Sequence, residues 1–268
     1  MTEVPPDHVR AQSFGAWARE YDRYRPSYPP RLFDVISASL ALPEHPRVAD
    51  IGAGTGKAAL AMAARGWPVT AVDPGDAMLD VLRARAQAQS VDVDAKEATA
   101  EATGLPDAAF ELVTAAEAYH WFDAPRAIRE FARILVPGGG LACFWNVRDA
   151  SASRLVADYH ELAAMVGSDH AGQGRPGPRD RTRDEILANG DFEEPRFEQV
   201  PHPVPMTGRE FIGLAFTTSH VRTAPEQTQR RFRRALEALL RRHGIGPDDG
   251  LTVPYVIDCW TARRRTDG

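Results

Sequence analysis

Short apolar runs alternate along the chain with segments whose apolar residues recur every three or four positions. The runs predict buried strands, and the helical spacing between them predicts amphipathic helices. Regular alternation of the two indicates a parallel sheet covered by helices, which is an α/β fold. We expect the first five strands at about residues 47–51, 68–72, 91–95, 109–115 and 141–147, with a turn at 137–140 before the fifth.

The pattern changes beyond residue 150. Prolines within the sixth predicted strand indicate an edge of the sheet, where a missing N–H group is tolerated. Thr223 and Glu226 have the spacing of a capping box, so we expect them to begin a helix that ends at Gly244. The elements predicted here are a helix at about 151–166, a loose connection at 167–183, an edge strand at 192–205, the helix before Gly244 and a last strand at 252–262.

Three glycines spaced two residues apart follow the first predicted strand and precede a helical pattern. Gly52, Gly54 and Gly56 allow backbone angles that other residues avoid, and they let a ligand lie against bare main chain. A loop between a parallel strand and a helix also directs free N–H groups at its ligand. This segment is therefore predicted to bind a ligand, and the spacing of its residues decides which one.

Two other kinds of glycine loop fit this spacing poorly. The phosphate loop of nucleotide hydrolases fails twice, because Ala58 follows Gly56-Lys57 and Ile51 stands where its first glycine belongs. The dinucleotide fingerprint fails once, because Lys57 stands in place of its third glycine. The remaining pattern, Asp50-x-Gly-x-Gly-x-Gly, resembles the first motif of the class I S-adenosylmethionine-dependent methyltransferases. In that family the loop surrounds the methionine end of the cofactor, where no pyrophosphate is present.

An acid ends the second predicted strand, 19 residues after Gly54. Asp73 can accept both ribose hydroxyls of an adenosine cofactor, whether that is S-adenosylmethionine or a nicotinamide dinucleotide. Asp73 alone therefore does not separate the two cofactors, whereas Asp50 and the glycine spacing do. The resemblance implies that Ala53 and Ala116 line the cofactor site and that Met78, Thr99, Ala100 and Glu101 flank the adenine.

Residues 14–29 form an aromatic-rich helical pattern that ends in prolines. Its sequence, Phe…Ala…Tyr…Arg-Pro-x-Tyr-Pro, resembles the N-terminal lid of the methyltransferase type 11 domain enzymes similar to trans-aconitate methyltransferases. The resemblance implies that Tyr21 and Arg25 approach the methionine carboxylate, and an arginine beside aromatic rings suits a bidentate carboxylate clamp. It also implies that Trp17 and Tyr28 contact the substrate, although both could instead anchor the helix to the sheet.

The fourth predicted strand leads into Ala-Tyr-His-Trp-Phe-Asp at 118–123, which resembles the loop after strand four in the same enzymes and would face the transferred methyl. His120 is our candidate general base or substrate-orienting group, because imidazole titrates near neutrality. The alternative is that His120 only hydrogen-bonds the cofactor or the lid. A carboxylate acceptor needs no base, whereas a phenol, amine or carbon nucleophile does. The other residues expected at the substrate are Tyr119, Trp121, Trp145 and Asn146.

The resemblance also predicts the architecture. It implies a Rossmann-like sheet of seven mostly parallel strands, the last one antiparallel, with helices on both faces and a helical lid. We expect a single domain over residues 1–268. Its predicted parts are a lid at 1–45, a cofactor-binding core at 46–150, substrate-roofing helices with the edge strand at 151–250, and the last strand at 251–265.

Composition narrows the choice of function. With 43% hydrophobic and 26% charged residues the sequence is typical of a globular protein, and its net charge of −5 disfavours nucleic-acid binding. The two cysteines, Cys143 and Cys259, have no metal-ligand spacing and suit a reducing cytosol. We find no signal-peptide pattern and no apolar stretch of about 18 residues. The protein is therefore expected to be cytoplasmic, without a metal or a membrane partner, and the oligomeric state stays open.

Three functions remain at this point. The first is an S-adenosylmethionine-dependent methyltransferase that acts on a small molecule, and the resemblance to trans-aconitate-type enzymes favours a carboxylate acceptor. The second is a nicotinamide-dependent oxidoreductase on a similar fold, which Lys57 disfavours. The third is a non-catalytic descendant that retains the fold as a binding or regulatory module. The intact glycines and both acids disfavour this third function, because a drifting site should lose some of them.

Overall fold

Helices and strands alternate through most of the computed structural model, which describes residues 18–166 and 178–266. The strands are β1 (Val48–Ile51), β2 (Val69–Asp73), β3 (Asp94–Glu97), β4 (Phe110–Ala116), β5 (Leu135–Arg148), β6 (Arg196–Thr207) and β7 (Gly250–Arg263). The helices are α1 (Ala18–Tyr24), α2 (Pro30–Leu40), α3 (Lys57–Ala63), α4 (Asp76–Gln89), α5 (Ala124–Ile134), α6 (Arg154–Ala163), α7 (Pro178–Ala188), α8 (Gly208–Ala215), α9 (Ser219–Thr223) and α10 (Glu226–Arg242). None of these helices is long and apolar enough to cross a membrane.

The strands form one sheet in the order β3-β2-β1-β4-β5-β7-β6. Strands β1 to β5 are parallel, and β7 is antiparallel to its neighbours β5 and β6, so β6 runs in the same direction as the first five. The predicted Rossmann-like fold, with its last strand antiparallel beside strand five, is confirmed. Because β1 to β5 are parallel, their C-terminal ends meet at one edge of the sheet, where such folds bind ligands.

Each face of the sheet carries its own apolar core, because alternate residues of a strand point to opposite faces. On β5, Phe144 packs in a cluster with Phe33 of α2, whereas the next residue, Trp145, packs in a cluster with Phe131 of α5. Helices therefore cover both faces. A third cluster joins α6, α8 and α10 to the end of β7 that contains Val253. This cluster forms a helical layer beside the ligand-binding edge.

The turn predicted at 137–140 is wrong, because these residues belong to β5. The strand already begins at Leu135, and its register against β4 shifts before Gly140. β7 extends as far as Arg263, which pairs with Gly140 and bonds backbone groups that a turn would leave unpaired. Gly138, with a φ of +77°, takes the irregular conformation that this bulged segment requires.

The capping box predicted at Thr223 and Glu226 is also wrong. Thr223 ends α9, where its hydroxyl donates to a carbonyl one turn earlier at 2.9 Å, and α10 begins after Pro225 without a side-chain cap. A complete capping box begins α8 instead. There the Glu210 N–H donates to the Thr207 hydroxyl at 3.2 Å, and the Thr207 N–H donates to the Glu210 carboxylate at 2.8 Å. The same residue spacing occurs at both places. Thr207 directly precedes a helix and can cap it, whereas Thr223 is the last residue of α9 and Pro225 is the N-cap residue of α10.

Helix α1 contacts both the glycine loop and the helical layer. The Thr55 hydroxyl donates to Asp22 of α1 at 3.1 Å, and the Arg85 guanidinium of α4 donates to the same carboxylate oxygen at 2.6 Å. On the other side, Tyr24 lies so close to Gly213 of α8 that a Cβ there would come within 2.5 Å of the tyrosine ring. Helix α1 thus bridges two parts of the chain, and the division into lid, core and roof stays a prediction.

Asp50 of β1 is a carboxylate at the centre of the sheet with no exposed surface. One of its oxygens accepts the hydroxyl of Thr114, on the neighbouring strand β4, at 2.7 Å. Burial raises the pKa of Asp50 to about 7, and the hydrogen bond from Thr114 only partly opposes this. The folded protein therefore keeps the Asp50 proton over a pH range in which the unfolded chain has lost it.

We expect Asp50 to make the folded state less stable as pH rises. Between the unfolded pKa of 3.8 and the folded pKa of about 7, the native state binds more protons than the unfolded state. The free energy of unfolding then falls by up to about 1.4 kcal/mol per pH unit. Asp50→Asn removes this term, so the stability of the wild type relative to the variant should decline across this range in urea titrations. A relative stability that stays flat or rises with pH contradicts the raised pKa.

The relocated capping box gives a second stability test. Thr207→Ala removes the side-chain acceptor for the Glu210 N–H, and we expect the free energy of unfolding to fall by about 1 kcal/mol. Thr223→Ala removes a hydroxyl that caps no helix start, so it should change stability by less than about 0.5 kcal/mol. Urea denaturation of the two variants measures both values. If Thr223→Ala lowers the free energy of unfolding more than Thr207→Ala does, the capping box lies at Thr223, as the sequence predicted.

Candidate active site

A cavity of about 330 Å³ lies at the edge of the sheet where β1, β2, β4 and β5 end. The glycine loop, the segments after β2 and β4, and helix α1 with the residues that follow it form its walls. The predicted site residues that line it are Tyr21, Arg25, Tyr28, Gly52, Ala53, Gly54, Asp73, Met78, Thr99, Ala100, Glu101, Ala116, Trp121 and Asn146. In the described part of the chain, no three His, Cys, Asp or Glu side chains are grouped as metal ligands.

Five predicted site residues do not line the cavity, and a sixth cannot be placed. Asp50 lies beneath the loop inside the sheet, and Gly56 lies against α4, where a Cβ would come 2.7 Å from Leu82. The other three, Tyr119, His120 and Trp145, lie on the far side of the segment after β4. Trp17 lies outside the described residues.

The glycines at 52 and 54 have positive φ angles for different reasons. Gly52, with a φ of +71°, packs so tightly that a Cβ would come 2.5 Å from the Cβ of Ala118. Gly54, with a φ of +55°, has no protein atom within 4 Å of such a Cβ. The open side of Gly54 is therefore the place where a ligand can lie against the backbone. A glycine is needed at position 52 because of the tight packing against Ala118. A glycine at position 54 instead leaves the backbone accessible to a ligand.

Asp73 joins the glycine loop to the segment that follows β2. One of its carboxylate oxygens accepts the Gly54 N–H and the other accepts the Gly75 N–H, both at 2.8 Å. Burial raises the pKa of Asp73, and these two backbone donors partly oppose the shift. A carboxylate only accepts hydrogen bonds, and each oxygen has a further acceptor site. Asp73 is thus suited to a pair of ligand hydroxyls, such as those of a ribose.

The loop offers few free N–H groups, contrary to our expectation from its position before a helix. The amides of Gly52 and Ala53 donate to the Val72 carbonyl, and the Gly56 amide donates to the Ala53 carbonyl, at 2.8–3.0 Å. The Gly54 amide donates to Asp73. A pyrophosphate is held by free backbone donors and is repelled by a carboxylate beside it. This arrangement therefore disfavours a dinucleotide and suits a neutral nucleoside.

Another part of the cavity wall carries the polar residues after α1. The Arg25 guanidinium donates from Nε to the Thr217 hydroxyl at 3.1 Å and lies 5.1 Å from the centre of the Tyr21 ring. Tyr28 is buried, with its ring edge-on to Phe144 of β5 at 4.9 Å. Arg25 is thus fixed beside an aromatic ring with donors facing the cavity, whereas Tyr28 both anchors the chain to the sheet and borders the cavity.

His120 is bonded in a way that limits proton transfer. The Trp145 indole N–H donates to His120 Nδ1 at 3.2 Å, and the imidazole ring lies 4.9 Å from the ring of Trp121. An indole nitrogen can only donate, so Nδ1 is the acceptor and a neutral His120 carries its proton on Nε2. Tyr119 and Trp145 are only 2% and 5% exposed and belong to the core with α5. The catalytic role of His120 and the substrate contacts of Tyr119 and Trp145 stay predictions that these positions do not favour.

The cavity residues that the sequence analysis did not select include Glu117, Arg148 and Tyr255. Glu117, directly after β4, has a φ of +55°, accepts the Asn146 N–H at 2.7 Å, and has its pKa raised by burial. Arg148 ends β5, and Tyr255 pairs with it across β7. The positions of Glu117 and Arg148 after the ends of predicted strands were visible in the sequence, whereas Tyr255 lies within the last predicted strand. What the sequence did not reveal is that β5 and β7 extend together beyond β4 and bring Arg148 and Tyr255 to the same cavity.

The sequence is similar to those of known methyltransferases. Residues 49–143 match the family described as Methyltransferase domain. An uncharacterized methyltransferase of Mycobacterium tuberculosis strain H37Rv is 37% identical over 248 residues, which are 92% of this chain and 93% of the relative. An uncharacterized methyltransferase of Schizosaccharomyces pombe is 34% identical over 133 residues, which are 49% of this chain and 51% of that protein.

Solved structures share the fold over most of the chain. A protein assigned as a type II methyltransferase from Anaeromyxobacter dehalogenans has a TM-score of 0.63 at 27% identity, covering 90% of this chain and 98% of that one. Phosphoethanolamine N-methyltransferase 2 of Haemonchus contortus, in complex with phosphomonomethylethanolamine and S-adenosylhomocysteine, has a TM-score of 0.55 at 15% identity, covering 97% and 59%. At that identity the second comparison shows the fold alone. With a relative that matches nearly full length, the chain belongs to the methyltransferase domain family, whose members are class I S-adenosylmethionine-dependent enzymes.

Proposed function

We propose that this protein transfers the methyl group of S-adenosylmethionine to a small-molecule acceptor. The observation that carries the proposal is the glycine loop held on Asp73, in which hydrogen bonds already occupy the amides of Gly52, Ala53, Gly54 and Gly56. That arrangement fits a ribose on the carboxylate and a thioether or sulfonium chain against Gly54. With these four amides occupied, the loop has few free donors for a pyrophosphate, which counts against the nicotinamide cofactor.

Each end of the cofactor has candidate partners in the cavity wall. Asp73 would accept the ribose hydroxyls, and Met78 with residues 99–101 would border the adenine. Residues 99–101 are held in place because Glu101 accepts the Asp123 N–H at 2.9 Å. Arg25, fixed by Thr217, would bind the methionine carboxylate as a charge-assisted pair. These roles agree with the resemblance and add the contacts that hold each group in position.

The bound cofactor supplies a methyl group that is already activated on a sulfonium. What the chain contributes is alignment of the acceptor, which can lower a barrier by about 7–11 kcal/mol, and exclusion of water. Helix α1 serves the second purpose, because its contacts with the glycine loop and with α8 cover the cavity. An acceptor that is already anionic needs no proton removed. Because the bond from Trp145 occupies His120 Nδ1, we favour a carboxylate acceptor and an orienting role for His120.

Calorimetry tests the cofactor directly. We expect purified protein to bind S-adenosylhomocysteine, and Asp73→Asn to weaken that binding at least tenfold, because an amide cannot accept both backbone donors and both hydroxyls. Asp94→Asn, which changes an exposed acid on the neighbouring strand β3, is the matched control and should bind like the wild type. NADH should give no heat. Tight binding of NADH with none of S-adenosylhomocysteine would make the protein an oxidoreductase.

The two glycines of the loop should separate folding from binding. Gly54→Ala places its Cβ in open space, so we expect a loss of about 1–2 kcal/mol of stability from the positive φ alone, with binding of S-adenosylhomocysteine abolished. Gly52→Ala adds a clash with Ala118 and should cost about 1–3 kcal/mol more. Thermal unfolding and calorimetry measure the two effects. If Gly54→Ala binds S-adenosylhomocysteine normally, the ligand does not lie against this loop.

Turnover distinguishes an enzyme from a non-catalytic binding module. Methyl label from S-adenosylmethionine should appear in acidic compounds of a metabolite extract when the wild type is added. Gly54→Ala, which should fold without binding the cofactor, is the control that shows whether the labelled product depends on this site. Binding of S-adenosylhomocysteine without any labelled product would favour the binding module.

A further inference from the structure

The far end of the cavity contains a second guanidinium that the proposed cofactor contacts do not use. β5 continues four residues beyond Phe144, which pairs with the end of β4, and its last residue is Arg148. Arg148 is three strands away from Asp73 in the sheet order, which is about 14 Å at the usual strand spacing. Both residues line the same cavity. Arg148 therefore marks the end opposite to the ribose.

Aromatic rings hold this guanidinium in place. Its central carbon lies 4.7 Å from the ring centre of Tyr159 on α6 and 5.6 Å from that of Tyr255 on β7. Both tyrosines are buried. The guanidinium also hydrogen-bonds the Tyr255 side chain, so the two rings and this bond restrict its plane, and its remaining N–H groups can bind a ligand. The side chain is thus preorganised, as a specificity residue has to be.

The charge of Arg148 is not neutralised by an ion pair. In residues 18–166 and 178–266 no carboxylate lies within ion-pair distance of it, and its buried Nε has no hydrogen-bond partner. Glu117 interacts with Arg148 electrostatically without forming an ion pair, and its carboxylate accepts the Asn146 N–H at 2.7 Å. A half-buried cation without an ion-pair partner is stabilised when a ligand supplies the opposite charge.

The cofactor can balance only one of the two arginines. S-adenosylmethionine carries a single carboxylate beside two cationic groups, and Arg25 is the guanidinium that we assign to that carboxylate. Glu117 interacts electrostatically with both arginines, so the cofactor carboxylate and Glu117 together still leave Arg148 without an ion-pair partner of its own at the acceptor end. An acceptor that is anionic would supply the missing charge, and a neutral or cationic acceptor would not.

We propose that Arg148 binds an oxyanion of the methyl acceptor, a carboxylate or a phosphate, and so selects anionic acceptors. The inference rests on the proposed function for the identity of the site, and it assigns the class of acceptor to one residue. Tyr159 and Tyr255 act as positioning residues that hold the guanidinium. The oxyanion chemistry is shared by both kinds of acid, and the experiment below separates them.

The test uses small probes on the full-length protein saturated with S-adenosylhomocysteine. Benzoate, phenyl phosphate and benzamide are titrated separately by calorimetry, and the arginine Nε–H signals are followed by NMR. We expect one of the two anions to bind at least tenfold more tightly than benzamide, the neutral counterpart of benzoate, and to shift the signal that Arg148→Lys removes. Preference for benzoate indicates a carboxylate acceptor, and preference for phenyl phosphate indicates a phosphate. Benzamide binding as tightly as both anions overturns the proposal.

Two matched arginine variants separate the subsites. Arg148→Gln should abolish the preference for the anion and leave the affinity for S-adenosylhomocysteine within about threefold, because the proposed cofactor contacts of Asp73 and Arg25 stay in place. Arg25→Gln should do the reverse. If Arg148→Gln keeps the preference, or weakens S-adenosylhomocysteine as strongly as Arg25→Gln, Arg148 is not the acceptor subsite. The wild-type comparison of benzoate with benzamide decides the question even where a variant does not fold.

The same titrations are repeated without S-adenosylhomocysteine, so that the two proposals fail independently. If the protein does not bind S-adenosylhomocysteine but still prefers the anion tenfold, the proposed cofactor is wrong and an anion subsite at Arg148 is supported. Binding of S-adenosylhomocysteine without any anion preference retains the methyltransferase and removes Arg148 from acceptor selection.

Discussion

Two hydrogen bonds to a single carboxylate determine the shape of the ligand-binding edge. By accepting the N–H groups of Gly54 and Gly75, Asp73 joins the loop after β1 to the segment after β2, so neither can move without the other. The same bonds remove the Gly54 amide from the donors available to a ligand. A ligand at this edge must therefore donate hydrogen bonds to a carboxylate, and it gains little from carrying a negative charge there. This constraint, together with the occupied loop amides, favours a neutral nucleoside over a dinucleotide.

Helix α1 closes the cavity by contacting parts of the chain that are distant in sequence. Asp22 accepts hydrogen bonds from Thr55 in the glycine loop and Arg85 on α4, and Arg25 donates to Thr217 beyond α8. Any displacement of α1 thus breaks contacts at the loop and at the helical layer together. Because Arg25 follows this helix directly, the position of the proposed methionine clamp depends on both sets of contacts.

The cavity divides electrostatically along the strand order. Near the ends of β1 and β2, the cavity presents the hydrogen-bond acceptor Asp73, which suits neutral hydroxyls. Near β5 and β7, it presents the charged hydrogen-bond donor Arg148. Glu117 lies between them after β4, in a left-handed conformation that non-glycine residues seldom adopt. The surrounding structure stabilises this conformation through the Asn146 N–H bond to the carboxylate. One continuous edge of a parallel sheet therefore presents different chemistry at each strand end.

Much of the fold and of the cofactor end could be read from the sequence, because both depend on local patterns. Alternating apolar runs and helical spacing predicted the parallel sheet, and the spacing of Gly52, Gly54 and Asp73 predicted the loop and the acid that line the cavity. The boundaries of the strands and helices were predicted less reliably from the sequence. The Pro-Gly segment before strand five forms part of β5 because β7 extends far enough to pair with it, and a partner strand more than a hundred residues away is invisible to local patterns.

What only the tertiary structure decided is which polar side chains face the cavity. Asp50 and Asp73 both lie near the end of a predicted strand, yet Asp50 lies within the sheet against Thr114 while Asp73 borders the cavity. Our proposals for His120 and Arg148 rest on contacts of the same kind: the Trp145 indole donates to His120 Nδ1, and the rings of Tyr159 and Tyr255 hold the Arg148 guanidinium. The chain by itself determined the residue types and the strand ends at which they stand. Burial and hydrogen-bond partners determined their use, because both arise from contacts between strands and helices that the order of residues does not display.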